Sequence, residues 1–337
     1  MKNDKPFIIP IFLPQAGCPH RCVFCNQFAI TNIHSKKIFE DAFKERVDQF
    51  LSYNYRKNPH VQISFYGGNF LGLPEMEMLQ LLNYVQRYVD CQKVTGIRFS
   101  TRPDTVTQKR LQLLTGYAIQ TVELGVQSMD DDVLHRSQRG HTSESTCQAT
   151  EMLKKSGYQV GHQVMSGLPG DTPKTFMQTI ERIIALKPDF VRIYPTLVLK
   201  GSLLAKWYHE GDYRPLSLNQ AVTMVKEGLE RFQKMHIPVI RMGIQPQDNL
   251  EYHIVSGPYH PAFGHLVYSE LFLDNVLKQI QQSRANHIVI LVNPSEISKL
   301  KGINQSNVKK ISQRFPNRQI RIISDPGTSD MQILELK

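Results

Sequence analysis

Three cysteines, Cys18, Cys22 and Cys25, stand in the stretch Gly17-Cys18-Pro19-His20-Arg21-Cys22-Val23-Phe24-Cys25-Asn26, spaced C-x3-C-x2-C. Three thiolates this close can hold one metal centre between them. A zinc site or a ferredoxin-type cluster normally takes four protein ligands, and the next cysteines are remote, at Cys91 and Cys147. A [4Fe-4S] cluster held by three thiolates leaves one iron open, and an open iron can bind a small molecule. The arrangement reads as an active site rather than a staple. The alternatives are a structural zinc with His20 or His34 as fourth ligand, or reduced cysteines that hold nothing.

Other residues that could do chemistry fall at the ends of short apolar runs. Gly67-Gly68-Asn69 follows a run of aromatic and β-branched residues. Two glycines let backbone approach a ligand closely, and they suit a tight turn equally well. Glu123 and Gln127 lie across the end of an apolar strand, where an unpaired charge is costly; a salt bridge to Arg102 or Arg98 is one way to satisfy Glu123. Arg136, Arg139 and His141 precede a helix start around Thr142 or Ser143, and arginine forks suit a carboxylate or a phosphate. His162, Gln163 and Met165 fall on a later run, with Gln163 the better candidate, and Tyr194 closes another. His253, His260 and His265 have Gly and Pro between them and no helical spacing, so they read as a substrate-facing or barrel-closing loop.

The elements that must position these residues alternate. Strand patterns at 7–13, 61–66, 96–100, 120–126, 159–165 and 190–194 are separated by helical patterns at 43–53, 75–89, 109–114, 143–156 and 174–186. Such alternation argues for βα units and a parallel sheet. Six units suggest an incomplete (β/α)6 barrel, an α/β fold open on one side, whose chemistry sits on loops leaving the strand C-termini. From 284 onward a strand at 286–292, a helix at 306–315 and a strand at 319–324 suggest a small α/β appendage. The expected division is therefore 1–283 and 284–337.

At 337 residues and 41% hydrophobic, the chain can bury a large core. Five cysteines with three in one loop do not read as a disulfide framework. The apolar run at 7–13 is broken by Pro10 and Pro14, and no run approaches the roughly 18 residues needed to span a bilayer. A cytoplasmic location without membrane contact is expected. The net charge of +10 favours a polyanionic partner such as RNA, with ordinary surface charge as the plain reading. In the appendage Lys299, Lys301, Lys309, Lys310, Arg314 and Arg318 stand against Glu296.

The cysteine loop, with an aromatic residue (Phe24) before its last cysteine, resembles the signature of the radical S-adenosylmethionine (SAM) superfamily. The resemblance implies that Cys18, Cys22 and Cys25 hold a [4Fe-4S] cluster whose open iron takes the amino and carboxylate groups of SAM. It implies reductive cleavage of SAM to methionine and a 5′-deoxyadenosyl radical, and an electron donor such as flavodoxin or ferredoxin. It also implies cofactor-binding roles for Phe24, Gly67, Gly68, Asn69, Glu123, Gln127, Arg136 and Tyr194. Gln163 and His141 are the candidates for catalysis.

Longer strings resemble one branch, the radical SAM domain of the Elongator catalytic subunit, which modifies the wobble uridine of tRNA. They are Tyr66-Gly67-Gly68-Asn69-Phe70-Leu71-Gly72-Leu73-Pro74, Thr101-Arg102-Pro103-Asp104, Val122-Glu123-Leu124-Gly125-Val126-Gln127-Ser128, Arg139-Gly140-His141-Thr142 and Ile193-Tyr194-Pro195-Thr196-Leu197-Val198. The resemblance covers roughly residues 6 to 265. The chain departs in its compact cysteine spacing and in the short stretch after Phe263, too short for an acetyltransferase domain. A radical SAM enzyme acting on RNA, most plausibly tRNA, is the first expectation. The alternatives are an enzyme for a small metabolite or tetrapyrrole precursor, and a non-catalytic iron-sulfur protein.

Overall fold

The computed structural model describes residues 5–33, 37–54, 58–247, 249–328 and 332–336. His34, one of the two histidines weighed as a zinc ligand, lies outside them.

Seven parallel strands form one sheet: β1 (Phe7–Phe12), β2 (Val61–Tyr66), β3 (Gly96–Thr101), β4 (Ile119–Gln127), β5 (Gln159–Ser166), β6 (Phe190–Pro195) and β7 (Val239–Met242). Their order in the sheet follows the chain, and β1 and β7 are the two free edges. The half-open α/β barrel expected from the alternation is present, with one strand more than the six units suggested. β7 has only four residues, two half-buried and one exposed, so its apolar pattern is too short to stand out.

Each strand divides its residues between two environments because side chains alternate across a pleated sheet. One face is apolar and packs under the helices: Ile63, Phe65, Ile97, Phe99, Val122, Leu124 and Val164 are all at most 1% exposed. The opposite face carries polar residues, among them Arg98, Ser100, Gln163, Arg192 and Tyr194, which line a cavity. The helices are held in register by their own end signals. Thr142 and Thr172 cap the helices Ser143–Lys155 and Pro173–Leu186 with reciprocal bonds to the third residue of each.

Beyond β7 the helix Phe263–Gln282 serves two cores. Phe263 and Val267 belong to the main core, whereas Leu273, Val276 and Ile280 pack on Ile288, Ile290 and Val292 of a three-stranded sheet. In that sheet His287–Val292 lies between a parallel neighbour, Gln319–Ser324, and an antiparallel one, Gln332–Leu336. Among the described residues no helix is long and apolar enough to cross a membrane.

Candidate active site

The loop after β1 is built by backbone bonds to the loop after β2. Gln15 N–H donates to Gly67 O at 2.8 Å, and Asn69 N–H donates to Ala16 O at 2.8 Å. Such close approach requires glycine at several places. A Cβ on Gly68 would lie 2.6 Å from both Leu13 O and Ala16 O. Gly17 sits at φ +70, where a Cβ would fall 2.2 Å from Asn69 O. The second half of the loop is fixed by segments that follow β4 and β6. Val23 N–H donates to Ser137 O, Asn26 Nδ2 to Lys200 O, and Arg21 to Gly201 O.

These constraints bring Cys18, Cys22 and Cys25 to the wall of one cavity of about 2010 Å³. Its wall also carries Phe24, Gly67, Gly68, Gln127, Gln163 and Tyr194. Burial pushes the Cys25 thiol up to about 12, and the sulfurs of Cys22 and Cys18 add to the effect. The three thiols are thus near enough to oppose each other's ionisation. Arg139 opposes that trend, since its Nη1 donates to Cys22 Sγ at 3.1 Å while Nη2 donates to Gly125 O at 2.6 Å. Arg102 is clamped on Asp104 by two bonds of 2.9 and 3.0 Å and donates to the Arg139 carbonyl.

The donor set suits an iron-sulfur cluster. It offers soft thiolates, cationic neighbours, and two buried guanidinium N–H groups without partners, Arg102 Nη1 and Arg139 Nε. A single shared ion is not supported: among the described residues no three His, Cys, Asp or Glu side chains form a group able to hold one. His20 lines the same cavity, with its ring packed against Gly140, where an added Cβ would fall 2.4 Å from it.

Several of the residues singled out in the sequence sit outside the cavity wall, among them Asn69, Glu123, Arg136, His141 and His162. Asn69 is 1% exposed and acts as a rivet. Its Nδ2 donates to Gly17 O at 2.8 Å, and its Oδ1 accepts from Thr101 Oγ1, Thr105 Oγ1 and Arg102 N–H at 2.7 to 3.0 Å. Glu123 is fully buried and committed to ion pairs with Arg98 and Arg192. Burial works against its charge, but Arg192 and Arg98 outweigh it and hold the carboxyl below its ordinary range. Of the two cations weighed for Glu123 in the sequence, Arg98 is the partner and Arg102 is not.

Arg136 is exposed, its stem lying where a Cβ on Gly170 would be. Arg139, three residues on, is the arginine that reaches the cysteines. His141 is buried with Nε2 3.3 Å from Val126 O, and burial, with Arg139 and Arg102 nearby, lowers its pKa to about 3. His162 faces the helix layer, where Nε2 meets Thr150 Oγ1 at 3.0 Å, because strand alternation sends it away from Gln163. Gln127 keeps its place at the wall through a left-handed φ of 67 at a register shift between β4 and β5.

Arg192 was missing from the sequence reading. The signal was there: it stands two residues before Tyr194 on one strand, so both must leave the same face.

A sequence profile of the Radical SAM superfamily matches residues 12–183, and a Radical_SAM C-terminal domain profile matches residues 188–272. An uncharacterized protein of Methanocaldococcus jannaschii is 30% identical over 241 residues, covering 68% of this chain and 72% of that protein. A tRNA uridine(34) acetyltransferase of Dehalococcoides mccartyi is 26% identical over 237 residues, 59% of this chain and 50% of the relative, so the chain spans about half of its length. The structure of the archaeal Methanocaldococcus infernus Elp3 shares the fold, with a TM-score of 0.63 and 22% identity over 80% of this chain and 64% of that one. With three cysteines in the superfamily's spacing on a half-open parallel barrel, the chain belongs to the radical SAM superfamily of enzymes.

Proposed function

We propose that Cys18, Cys22 and Cys25 hold a [4Fe-4S] cluster, that SAM binds beside it, and that the substrate is an RNA, namely tRNA. The observation that carries the first part is the convergence of three thiols, with no fourth, on a cavity walled by the Gly67-Gly68 backbone. Held by these three thiolates, a reduced [4Fe-4S] cluster would supply the electron for reductive cleavage of SAM. The chain's own residues bind and orient. Gly67 and Gly68 present backbone amide and carbonyl groups to the amino end of SAM. Arg139, rather than Arg136, is the arginine on this wall, and its unpartnered Nε offers a charged donor to the carboxylate. Gln127 and Tyr194 stand on the same wall for the nucleoside, and Gln163 lies deeper towards the barrel interior.

The RNA part rests on charge and kinship. Nine Lys and Arg side chains line the cavity against two acids, Asp189 and Glu296. On the appendage from 284 onward, Lys301, Lys309 and Arg314 are exposed and make no ion pair among the described residues. Other basic residues there are committed: Lys310 to Glu270, Lys299 to Glu296, and Arg318 to the carbonyls of Ile280 and Ser283. The relative from Dehalococcoides carries tRNA uridine(34) in its name. A small-metabolite substrate is the second reading, favoured by a cavity that continues to Lys5, Gln159 and Pro238 at the strand N-termini.

Anaerobic reconstitution followed by dithionite and SAM tests the first part. Release of 5′-deoxyadenosine by the wild type, and its loss in Cys18→Ala, Cys22→Ala and Cys25→Ala, is the expected result. A wild type that takes up iron and sulfide yet releases none would remove the enzymatic assignment. Binding of a tRNA pool to the reconstituted protein tests the second.

A further inference from the structure

Arg192 on β6 and Arg241 on β7 are register partners in a parallel pair, so both side chains leave the same face of the sheet. Both line the cavity. Like charges directly opposite on neighbouring strands destabilise the pair, and these two sit inside the curl of the barrel. The anion nearby is already divided. Glu123 Oε2 lies 2.9 Å from Arg192 Nε, and Oε1 lies 3.1 Å from Arg192 Nη2 and 2.5 Å from Arg98 Nε.

Two guanidinium groups, of Arg98 and Arg192, therefore already share one carboxylate, and Arg241, beside Arg192 on the next strand, makes no ion pair among the described residues. Arg98, 5% exposed, has its Nη2 buried without a hydrogen-bond partner and its guanidinium 4.7 Å over the Phe190 ring. Uncompensated charge in such a place is costly unless something pairs with it. Guanidinium forks match carboxylate and phosphate geometry.

We propose that the inner face of β6 and β7 is the seat for one oxyanion, a carboxylate or phosphate carried by the substrate. Arg192 and Arg241 grip it, while Glu123 orients Arg192 and Arg98 from behind. Arg241 lies on the free edge strand, and Tyr268 and Phe272 of the helix Phe263–Gln282 line the same cavity. An anionic group enters from that open side, deep to the cysteine loop. The seat is independent of whether the substrate is RNA or a metabolite.

The test is calorimetric titration of the reconstituted full chain with inorganic phosphate at constant ionic strength, with chloride as the control. Wild type binds phosphate saturably, and Arg241→Gln, at a half-buried edge position without an ion pair, weakens it by about tenfold or more, as loss of a charge-assisted contact requires. Glu123→Gln removes the internal anion and tightens phosphate binding, a gain that a purely structural carboxylate does not produce. Phosphate that binds no better than chloride overturns the proposal, as does Arg241→Gln binding like wild type. If Glu123→Gln does not fold, Arg241→Gln decides alone. Competition separates the sources. An oligouridylate whose only anions are phosphodiesters displaces phosphate if the group belongs to RNA, and acetate or a phosphate monoester alone displaces it if the group belongs to a metabolite. Failure of the oligonucleotide arm counts against RNA and leaves the seat standing.

Discussion

The Arg139 guanidinium donates to the Cys22 sulfur at 3.1 Å and to the Gly125 carbonyl at 2.6 Å. One buried side chain thereby ties the cysteine loop to β4, 117 residues apart in sequence from the thiol it touches. Gly125 is part of the fit, since a Cβ there would lie 3.4 Å from Arg139 Nη2 and 3.0 Å from the Gln127 amide nitrogen. Replacing Arg139 with Met leaves the Gly125 carbonyl buried and unpaired. The cluster-free protein should lose about 1.5–3 kcal/mol, the usual scale for hydrogen bonds to a charged group. Urea denaturation of the two proteins, with equal slopes, measures it; a midpoint unchanged from wild type refutes the tie.

Asn69 should be among the most sensitive polar positions. It satisfies Gly17 O, Thr101 Oγ1, Thr105 Oγ1 and Arg102 N–H at once. Asn69→Ala strands several buried groups and should cost about 2–5 kcal/mol. Iron retention after reconstitution should fall with it, because Gly17 immediately precedes Cys18. Full iron content together with a wild-type urea midpoint would show that Asn69 is not the rivet.

Gly68→Ala separates fold from loop. The added methyl would meet two carbonyl oxygens, of Leu13 and Ala16, at 2.6 Å, and backbone has little freedom to yield. The clash falls on backbone of the loops after β1 and β2 and leaves the strands and helices themselves untouched, so far-ultraviolet circular dichroism should stay native while iron loading drops. A variant that loads iron like wild type would mean the loop can shift without losing its thiol geometry.

His162 gives a pH signature. It is fully buried on β5, and burial lowers its pKa to about 3 from the ordinary 6.5. The unfolded chain therefore binds the extra proton first, so stability rises with pH across that window. The contribution is complete above about pH 6.5 and is lost as pH falls towards 3. Relative to His162→Gln, wild type should lose up to about 1.4 kcal/mol per pH unit between pH 6 and 4. Parallel stability curves for the two proteins over that range would sink the assignment.

If RNA is the substrate, tRNA binding should weaken steeply with salt, each neutralised phosphate adding about 0.7–0.9 to the log–log slope. A Lys301, Lys309 and Arg314 to Gln triple variant should flatten that slope while leaving SAM cleavage intact. Filter binding from low to physiological salt reads the slope, and a flat wild-type response excludes RNA contact of this kind.

Much of the site was legible because it is local. The C-x3-C-x2-C spacing, the Gly67-Gly68 turn and the strand-helix alternation are properties of short segments. Choosing between Arg136 and Arg139 was not. They are three residues apart at the end of a short helix, Asp131–Arg136, and only the path of the following turn sends one outward and the other to Cys22. Strand alternation, applied to β5 and β6, would have moved His162 out of the site and brought Arg192 in.

The amino-acid sequence alone brought three thiols within one short loop, because their spacing is local, and it determined a parallel α/β sheet, because hydrophobic period is a local property. Tertiary structure decided what Glu123 neutralises, what Asn69 holds, and that Arg192 and Arg241 stand side by side. Those depend on strand register and on which strands become neighbours. A shift of one residue in any of them would turn the same side chains to the opposite face.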